Sequence, residues 1–285
     1  MASNSTAQFE NGIQEREEIF KLLKPNYILE TKARNLGASI KISSQLIDAD
    51  GNIKWAENYS SEVAKIDNIQ SELELGLIGG LGLQSASAQK TLEDAVITVN
   101  PEAYDLFKRA RVTQDRAIAR KLYREAISIT PKFAAAHSSL AINMAYGFVG
   151  VERSSMGLME FDIFKMEALN HALTAVKIAP NDPLSHYSVA FVNYQAAELD
   201  TALEAASNAI ALDEDNPQSL LILGAIKFGL EQYTQVLEIA DKLRIVDPIN
   251  SANGLTFEAS AYFALQNYET ALQLAEMANE RNPNY

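Results

Sequence analysis

Two stretches, "YTQVLEIADKLRIVDP" at residues 233–248 and "YETALQLAEMANERNP" at residues 268–283, are variants of one pattern. Each begins with tyrosine, carries small or apolar residues at helical spacing and ends in proline. The register extends upstream, and the separations between the aligned Ala168, Ala202, Val236 and Ala271 are 34, 34 and 35 residues. A fixed period of this length predicts an array of repeats, each too small to bury its apolar surface alone.

The residue types within the period predict pairs of helices. Small residues recur where two helices must approach closely, as at Ala172, Ala206 and Ala240, and prolines such as Pro180 stand where a helix must end. This pattern resembles the tetratricopeptide repeat over about residues 100–285. The resemblance implies a mainly α fold, a right-handed superhelical solenoid whose first helices line a concave groove.

The repeat count follows from an earlier copy at residues 116–131, "RAIARKLYREAISITP". Its Ala119 lies 49 residues before Ala168, about 15 more than the period. We therefore expect about five helix pairs over residues 94–285, with an insertion near residues 147–164 and with the first two pairs less regular than the last three.

Residues 1–93 are expected to form a separate unit. The stretch "QLIDADGNIKWAENY" at residues 45–59 combines a period of two with Asp-Gly, a signal for a β-hairpin. We expect three strands near residues 27–34, 39–49 and 52–59, partly covered by Trp55, and a helix at residues 66–84 packed on them.

This order of elements resembles the small α/β domain related to the amino-terminal domain of TolB, found in bacterial signalling proteins. The stretch at residues 45–59 and "IDNIQSEL" at residues 66–73 carry the resemblance, which covers roughly residues 2–85. "LETKA" stands where the family has "LEGSV", so the turn after that strand is expected to differ. The family also begins with a further strand and helix. We therefore expect a partial domain, a chain cut at both ends and a tendency to self-associate.

Composition excludes several classes of function. The formal net charge of −13 disfavours binding to a phosphate backbone. The chain has no cysteine, so disulfides, thiolate metal sites and cysteine nucleophiles are excluded. The sequence has no run of about 18 apolar residues, the length needed to cross a membrane as a helix. We expect a bacterial protein, cytoplasmic rather than periplasmic, without a cofactor.

Three motifs have a chemical and a structural interpretation. His137 and His186 share a repeat position. They could form a metal-binding pair, or each imidazole could take the place of the large ring that the repeat often has there. The shared register favours the second interpretation. "DADGN" at residues 48–52 has its glycine fourth, so it fits a turn better than a calcium loop. "GLIGGLG" at residues 76–82 lacks the lysine of a phosphate loop. No catalytic, metal or cofactor site is predicted.

The surface of the first helices is the remaining candidate for a partner site. Register in the repeat places one apolar or aromatic set on the groove: Ile142, Tyr146, Tyr187, Phe191, Tyr194, Phe228 and Phe263. Each of these residues could instead belong to the core, since both settings select aromatic side chains. Peptide-binding members of the family hold a terminal carboxylate partly with basic residues. This chain has Tyr187, Leu221 and Thr256 at one such position, which favours an apolar or amphipathic segment instead.

The two resemblances together imply a regulatory region. A TolB-like domain followed by such repeats is similar to the region downstream of bacterial class III adenylate or guanylate cyclase domains and of some winged-helix regulators. Our first hypothesis is a non-catalytic scaffold that binds a protein partner or peptide segment in the groove. A small-ligand-sensing module and an envelope-complex assembly protein are the alternatives.

Overall fold

A computed structural model describes residues 19–21, 25–35, 39–62, 99–247 and 252–281. These residues fall into two compact units, one ending at Pro101 and one from Glu102 onward. The helix expected at residues 66–84, which includes the glycine-rich stretch, lies outside the described residues. So do the prolines at positions 248 and 283.

The first unit contains a three-stranded antiparallel sheet. Its strands β1 (Tyr27–Asn35), β2 (Ser39–Asp48) and β3 (Ile53–Glu62) lie in the order β1-β2-β3. Trp55 pairs with Leu46 across β2 and β3, and the register shifts between Leu46 and Ile47, both buried. This bulge ends the strict alternation of β2 and lets two consecutive apolar side chains be buried.

The turn between β2 and β3 is organised by Asp48. Its carboxylate accepts hydrogen bonds from the backbone amides of Asp50 (3.0 Å) and Asn52 (2.8 Å) and pairs with Lys54 Nζ at 2.8 Å. The bond from Lys54 lowers the pKa of Asp48 to about 2. Gly51 has φ +83°, where a side chain would be strained. The turn interpretation of "DADGN" therefore agrees with its geometry.

The second unit consists of helices that follow one another in pairs. Their bounds are α1 (Pro101–Val112), α2 (Arg116–Ile129), α3 (Ala134–Ala145), α4 (Gly150–Ser154), α5 (Leu158–Ile178), α6 (Pro183–Gln195), α7 (Leu199–Leu212), α8 (Pro217–Gly229), α9 (Tyr233–Val246), α10 (Ala252–Ala264) and α11 (Tyr268–Arg281), with a 3₁₀ turn at Tyr146–Phe148. Among the described residues, α1 with α2, α3 with α5, α6 with α7, α8 with α9, and α10 with α11 make five pairs.

Capping residues fix where several helices begin. Asp115 accepts hydrogen bonds from the amides of residues 117 and 118, and Asp182 does the same for residues 184 and 185. Asn216 accepts from the amide of Ser219. These side chains satisfy amides that have no partner inside the helix. Pro183, which follows Asp182 as the first helical residue, loses no hydrogen bond there.

The last three pairs share one turn between their helices. Ala197, Glu231 and Gln266 have φ values of 62°, 58° and 62° and lie 34 and 35 residues apart. Each is followed by a backbone bond that spans six residues, such as Glu198 N to Asn193 O at 2.9 Å. This is a Schellman closure without glycine. Because its geometry repeats in these three pairs, they are structurally the most regular.

Alanines form the contacts between stacked helices. The side chains of Ala168, Ala202 and Ala206 have no exposed surface, and Ala271 is 6% exposed. Ala240, in α9, lies under α10, because a Cβ built on Gly254 would lie 3.2 Å from the Ala240 carbonyl oxygen. Larger side chains at these positions would force neighbouring helices apart.

The region between α3 and α5 folds back onto the repeats. Arg120 of α2 pairs with Glu152 of α4 at 2.5 Å and lies 5.5 Å from the ring centre of Phe164. Phe148 is buried and contacts Phe164 edge to face, with 6.0 Å between the ring centres. Since α5 begins at Leu158, its first turns lie inside the expected insertion and make it the longest of the described helices.

Replacing Gly254 by leucine is expected to destabilise the second unit. The new side chain would meet Arg244, Leu243 and the backbone of Ala240, so overpacking should cost about 1–3 kcal/mol in the free energy of unfolding. The matched control is Ala211→Leu on the exposed side of α7. Urea denaturation followed by circular dichroism measures both, and equal effects would contradict this account of the stacking.

Candidate functional site

The seven groove candidates all lie on or directly after the first helix of a pair. Ile142 is in α3 and Tyr146 follows it, Phe228 is in α8, and Phe263 is in α10. The other three, Tyr187, Phe191 and Tyr194, share α6. The structure brings together some of these residues but not all seven.

One group is an aromatic cluster at the second and third pairs. The ring of Phe191 lies 4.8 Å from that of Tyr146 and 5.8 Å from that of Tyr187, between ring centres. Phe191 is only 7% exposed and supports the other two rings, whereas Tyr146 is 44% exposed. Arg116 lies 5.3 Å from the ring centre of Tyr146, a cation–π distance. Burial raises the pKa of Tyr187, so its hydroxyl stays protonated.

The other group, Phe228 and Phe263, lines an apolar pocket of about 760 Å³ at the last helix pair. The remaining lining residues come from α10 and α11: Thr256, Ala259, Ser260, Tyr268, Ala271, Leu272, Ala275, Ala278 and Asn279. None of these described residues is charged. Thr256 and Ser260 donate their hydroxyl hydrogens to carbonyl oxygens of their own helix, each at 2.8 Å, so these donors are already used.

Repeat register explains how the pocket arises. In the preceding pair, a Cβ on Gly224 would contact Phe257 of α10 at 3.6 Å, and Leu243 lies beside Gly254. The register equivalents of Gly224 and Leu243 are Ala259 and Ala278, and both line the pocket. The pocket therefore occupies, at the last pair, the place that α10 fills on the pair before it.

A pair of histidines lies inside the second repeat, which the sequence did not indicate. His137 Nε2 donates to the Pro131 carbonyl oxygen at 3.1 Å, because that oxygen can only accept. In the neutral ring Nδ1 is then an acceptor, so the His171 Nδ1–H donates to it across 2.9 Å. His186 repeats the contact of His137, with Nε2 2.7 Å from the Pro180 carbonyl oxygen. The shared repeat position thus has a shared structural contact.

The charge state of this pair depends on its surroundings. Burial, followed by the charge on His137, lowers the pKa of His171 to about 4, while Glu167 opposes the shift and Arg124 adds to it. Burial also lowers the pKa of His137. Glu167 itself pairs with Arg124 at 2.8 Å. Both rings are neutral near pH 7, and protonating both would place two positive charges at hydrogen-bond distance.

The histidine pair predicts a loss of stability on acidification. Because the folded pKa of each ring lies below the unfolded value of about 6.5, the unfolded chain binds more protons between pH 6.5 and 4. The melting temperature should therefore fall as the pH drops through this window. The double variant His137→Phe/His171→Leu should show a shallower fall, measured by circular dichroism, with His186→Phe as control. If the melting temperatures of the unaltered chain, the double variant and His186→Phe depended on pH in the same way, the histidine pair would not be the source of the acid sensitivity.

Among the described residues, no group of three or more histidine, aspartate or glutamate side chains could hold a metal ion. No helix in the part of the chain that the structure describes is both long and apolar enough to cross a membrane.

The stacked helix pairs define a helical-repeat fold of the tetratricopeptide type. A solved structure with the same fold is TTC0263, a thermophilic TPR protein of Thermus thermophilus, with a TM-score of 0.51, 13% identity and coverage of 64% of this chain and 92% of that one. The prediction of a mainly α solenoid preceded by a small sheet is thereby confirmed.

Other comparisons are more distant or cover only part of a longer protein. MamA from Desulfovibrio magneticus RS-1 has a TM-score of 0.48, with 14% identity over 65% of this chain and 98% of that one. A curated relative named "Putative adenylate cyclase 3", from Rhizobium meliloti (strain 1021), is 27% identical over 209 residues. The alignment covers 71% of this chain and 35% of that protein. No protein-family model matches the chain.

Proposed function

We propose that the chain is a non-catalytic interaction scaffold that binds an apolar or amphipathic segment of a partner protein. The observation that carries this proposal is the apolar pocket, about 760 Å³ in volume, at the last helix pair. Apolar concave sites bind chiefly by burying hydrophobic side chains of the ligand. The exposed ring of Phe263 and the neighbouring Phe228 supply aromatic contacts of the kind found at interaction hot spots.

The same surface disfavours an acidic terminus as the ligand. Capture of a carboxylate needs basic side chains or unoccupied backbone amides. Peptide-binding members of the repeat family are expected to carry a basic residue at one position of the repeat. In three successive repeats of this chain, that position holds Tyr187, Leu221 and Thr256. Arg116 lies 5.3 Å from the ring centre of Tyr146 and donates to the Tyr146 carbonyl oxygen at 3.4 Å, so this nearby cation already has partners within the chain.

We further propose a place for this scaffold in a bacterial signalling protein. Support comes from the alignment with the adenylate cyclase-named protein, of which the chain spans 35%. In this proposal residues 1–93 form the TolB-like domain and residues 94–285 the repeats. The scaffold would transmit partner binding to an effector domain whose motifs do not occur in residues 1–285.

A small-ligand-sensing role is the second candidate, based on a hollow of about 260 Å³ on the sheet. Its lining is polar, but the side chains bond to one another: Gln45 Nε2 donates to Glu30 at 2.7 Å and Ser43 Oγ donates to Asn58 at 2.6 Å. A ligand would have to displace these bonds. We therefore favour the groove.

Peptides that end in an amide and carry apolar or amphipathic sequences should bind at the pocket. Phe263→Ala should weaken this binding about tenfold, since an exposed aromatic anchor contributes over 1 kcal/mol. Ile245→Ala is the matched control, because Ile245 is a 79% exposed apolar residue on α9 that does not line the pocket. Fluorescence anisotropy with labelled peptides measures both affinities.

Free-acid versions of the same peptides provide the decisive comparison. They should bind no more tightly than the amides, and the affinity should depend weakly on salt. Preference for the free acid with strong salt dependence would overturn the proposed ligand class. Equal loss of affinity in Phe263→Ala and Ile245→Ala would remove the pocket from the proposal.

The purified chain should not turn over nucleotides. Assays for cyclic-nucleotide formation from ATP and GTP, with Mg²⁺ or Mn²⁺, should give the rate of the buffer alone. Our reason is the lack of a recognisable nucleophile–base pair or phosphate loop in the sequence. Activity that co-purifies with the chain and is abolished by one point substitution in it would refute the non-catalytic assignment.

A further inference from the structure

The outward face of α5 carries an apolar stripe. Met159 and Ile163 stand near its start, and Met166 and Leu173 continue the line along the helix. All four side chains are at least half exposed, from 50% at Leu173 to 78% at Met159. Apolar side chains arranged contiguously on a surface usually mark an interaction site.

The other repeats provide an internal comparison, because register identifies the same outward positions in each second helix. The equivalents of Met166 are Ala117, Asp200, Thr234 and Glu269, and those of Leu173 are Arg124, Ser207, Asp241 and Glu276. All of these side chains are exposed, and seven of the eight are polar or charged. The apolar stripe is therefore particular to α5 and is not a requirement of the repeat.

The stripe has the spacing of a coiled-coil seam. Exposed residues occur at positions 159, 163, 166, 170, 173 and 177, so the steps alternate between four and three. In heptad terms Met159, Met166 and Leu173 are d residues, while Ile163, Asn170 and Lys177 are a residues. A single asparagine at a central a position is a device that sets register in paired helices. The 21 residues of α5 span about 31 Å, enough for three heptads.

The flanks of the seam indicate the charge of the partner. Two of the three e positions hold Glu160 and Glu167, the third holds Thr174, and one g position holds Asp162. Glu167 is already paired with Arg124, but Glu160 and Asp162 are exposed on either side of Met159 and Ile163. In a parallel pair of two copies Asp162 would face Glu167 of the other, and the net charge of −13 adds repulsion. A helix with basic flanks complements the seam.

We propose that the outward face of α5 docks a partner helix that has an apolar heptad seam flanked by lysine or arginine. This surface lies on a second helix of its pair and is distinct from the groove and the pocket. The partner helix lies along α5 with a polar residue opposite Asn170. The inference goes beyond the proposed groove function and does not depend on it.

A synthetic helical peptide tests this proposal directly. It has three heptads with isoleucine at a, leucine at d, asparagine at the central a position and lysine at e and g. A second peptide is identical except for glutamate at e and g. The full chain should bind the basic peptide with a dissociation constant on the order of micromolar and the acidic one at least about tenfold more weakly, measured by fluorescence anisotropy.

The double variant Met166→Glu/Leu173→Glu should weaken binding of the basic peptide at least about a hundredfold, since two buried apolar contacts are lost. Folding should tolerate it, because α11 carries Glu269 and Glu276 at the equivalent positions. Ile245→Glu, at an equally outward position of α9, is the control and should bind the peptide like the unaltered chain. Circular dichroism of all variants checks the fold.

Three outcomes would overturn the proposal. Equal affinity for the acidic and basic peptides would remove the charge argument. A dimer in sedimentation equilibrium that the double variant abolishes would identify a second copy as the occupant. The third outcome combines two results: the unaltered chain does not bind the basic peptide, and the double variant melts at a lower temperature than the unaltered chain. Together these results would show that another segment of the same chain covers α5.

Discussion

Close contact between helices at alanine positions is the constraint on which the second unit depends. Ala168, Ala202 and Ala206 are fully buried, and α10 lies against the backbone of Ala240. A helix pair has two apolar flanks and can bury them only against the pairs before and after it. Stacking therefore determines the helix positions, and the capping residues and turns determine where each helix starts and stops.

The same constraint explains the apolar pocket. In the fourth pair the stacking surface around Gly224 and Leu243 is filled by α10, whereas Ala259 and Ala278 of the fifth pair face a volume of about 760 Å³. The groove candidates Phe228 and Phe263 are among its lining residues. A surface built for a neighbouring helix is also suited to bind an apolar ligand, because both bury hydrophobic area.

The aromatic candidates show how one pattern can serve two purposes. Phe191 and Phe263 occupy first helices of different repeats and are equally reasonable as groove residues in the sequence. Phe191 packs beneath Tyr146 and Tyr187 and is nearly buried, whereas Phe263 is 64% exposed. The difference arises from the neighbours: Tyr146, directly after α3, packs against Phe191, and no described residue covers Phe263 to the same extent.

The sequence by itself determined the period, the helical pairing and the three-stranded sheet. These features depend on local rules: spacing of small residues, helix-ending prolines such as Pro180, and an Asp-Gly turn. Only the tertiary structure decided the positive φ angles of Ala197, Glu231 and Gln266, since no glycine marks them. It also decided the contact between His137 and His171, 34 residues apart, and the exposure of the α5 seam. Such features depend on which elements become neighbours, and local sequence patterns carry little information about that.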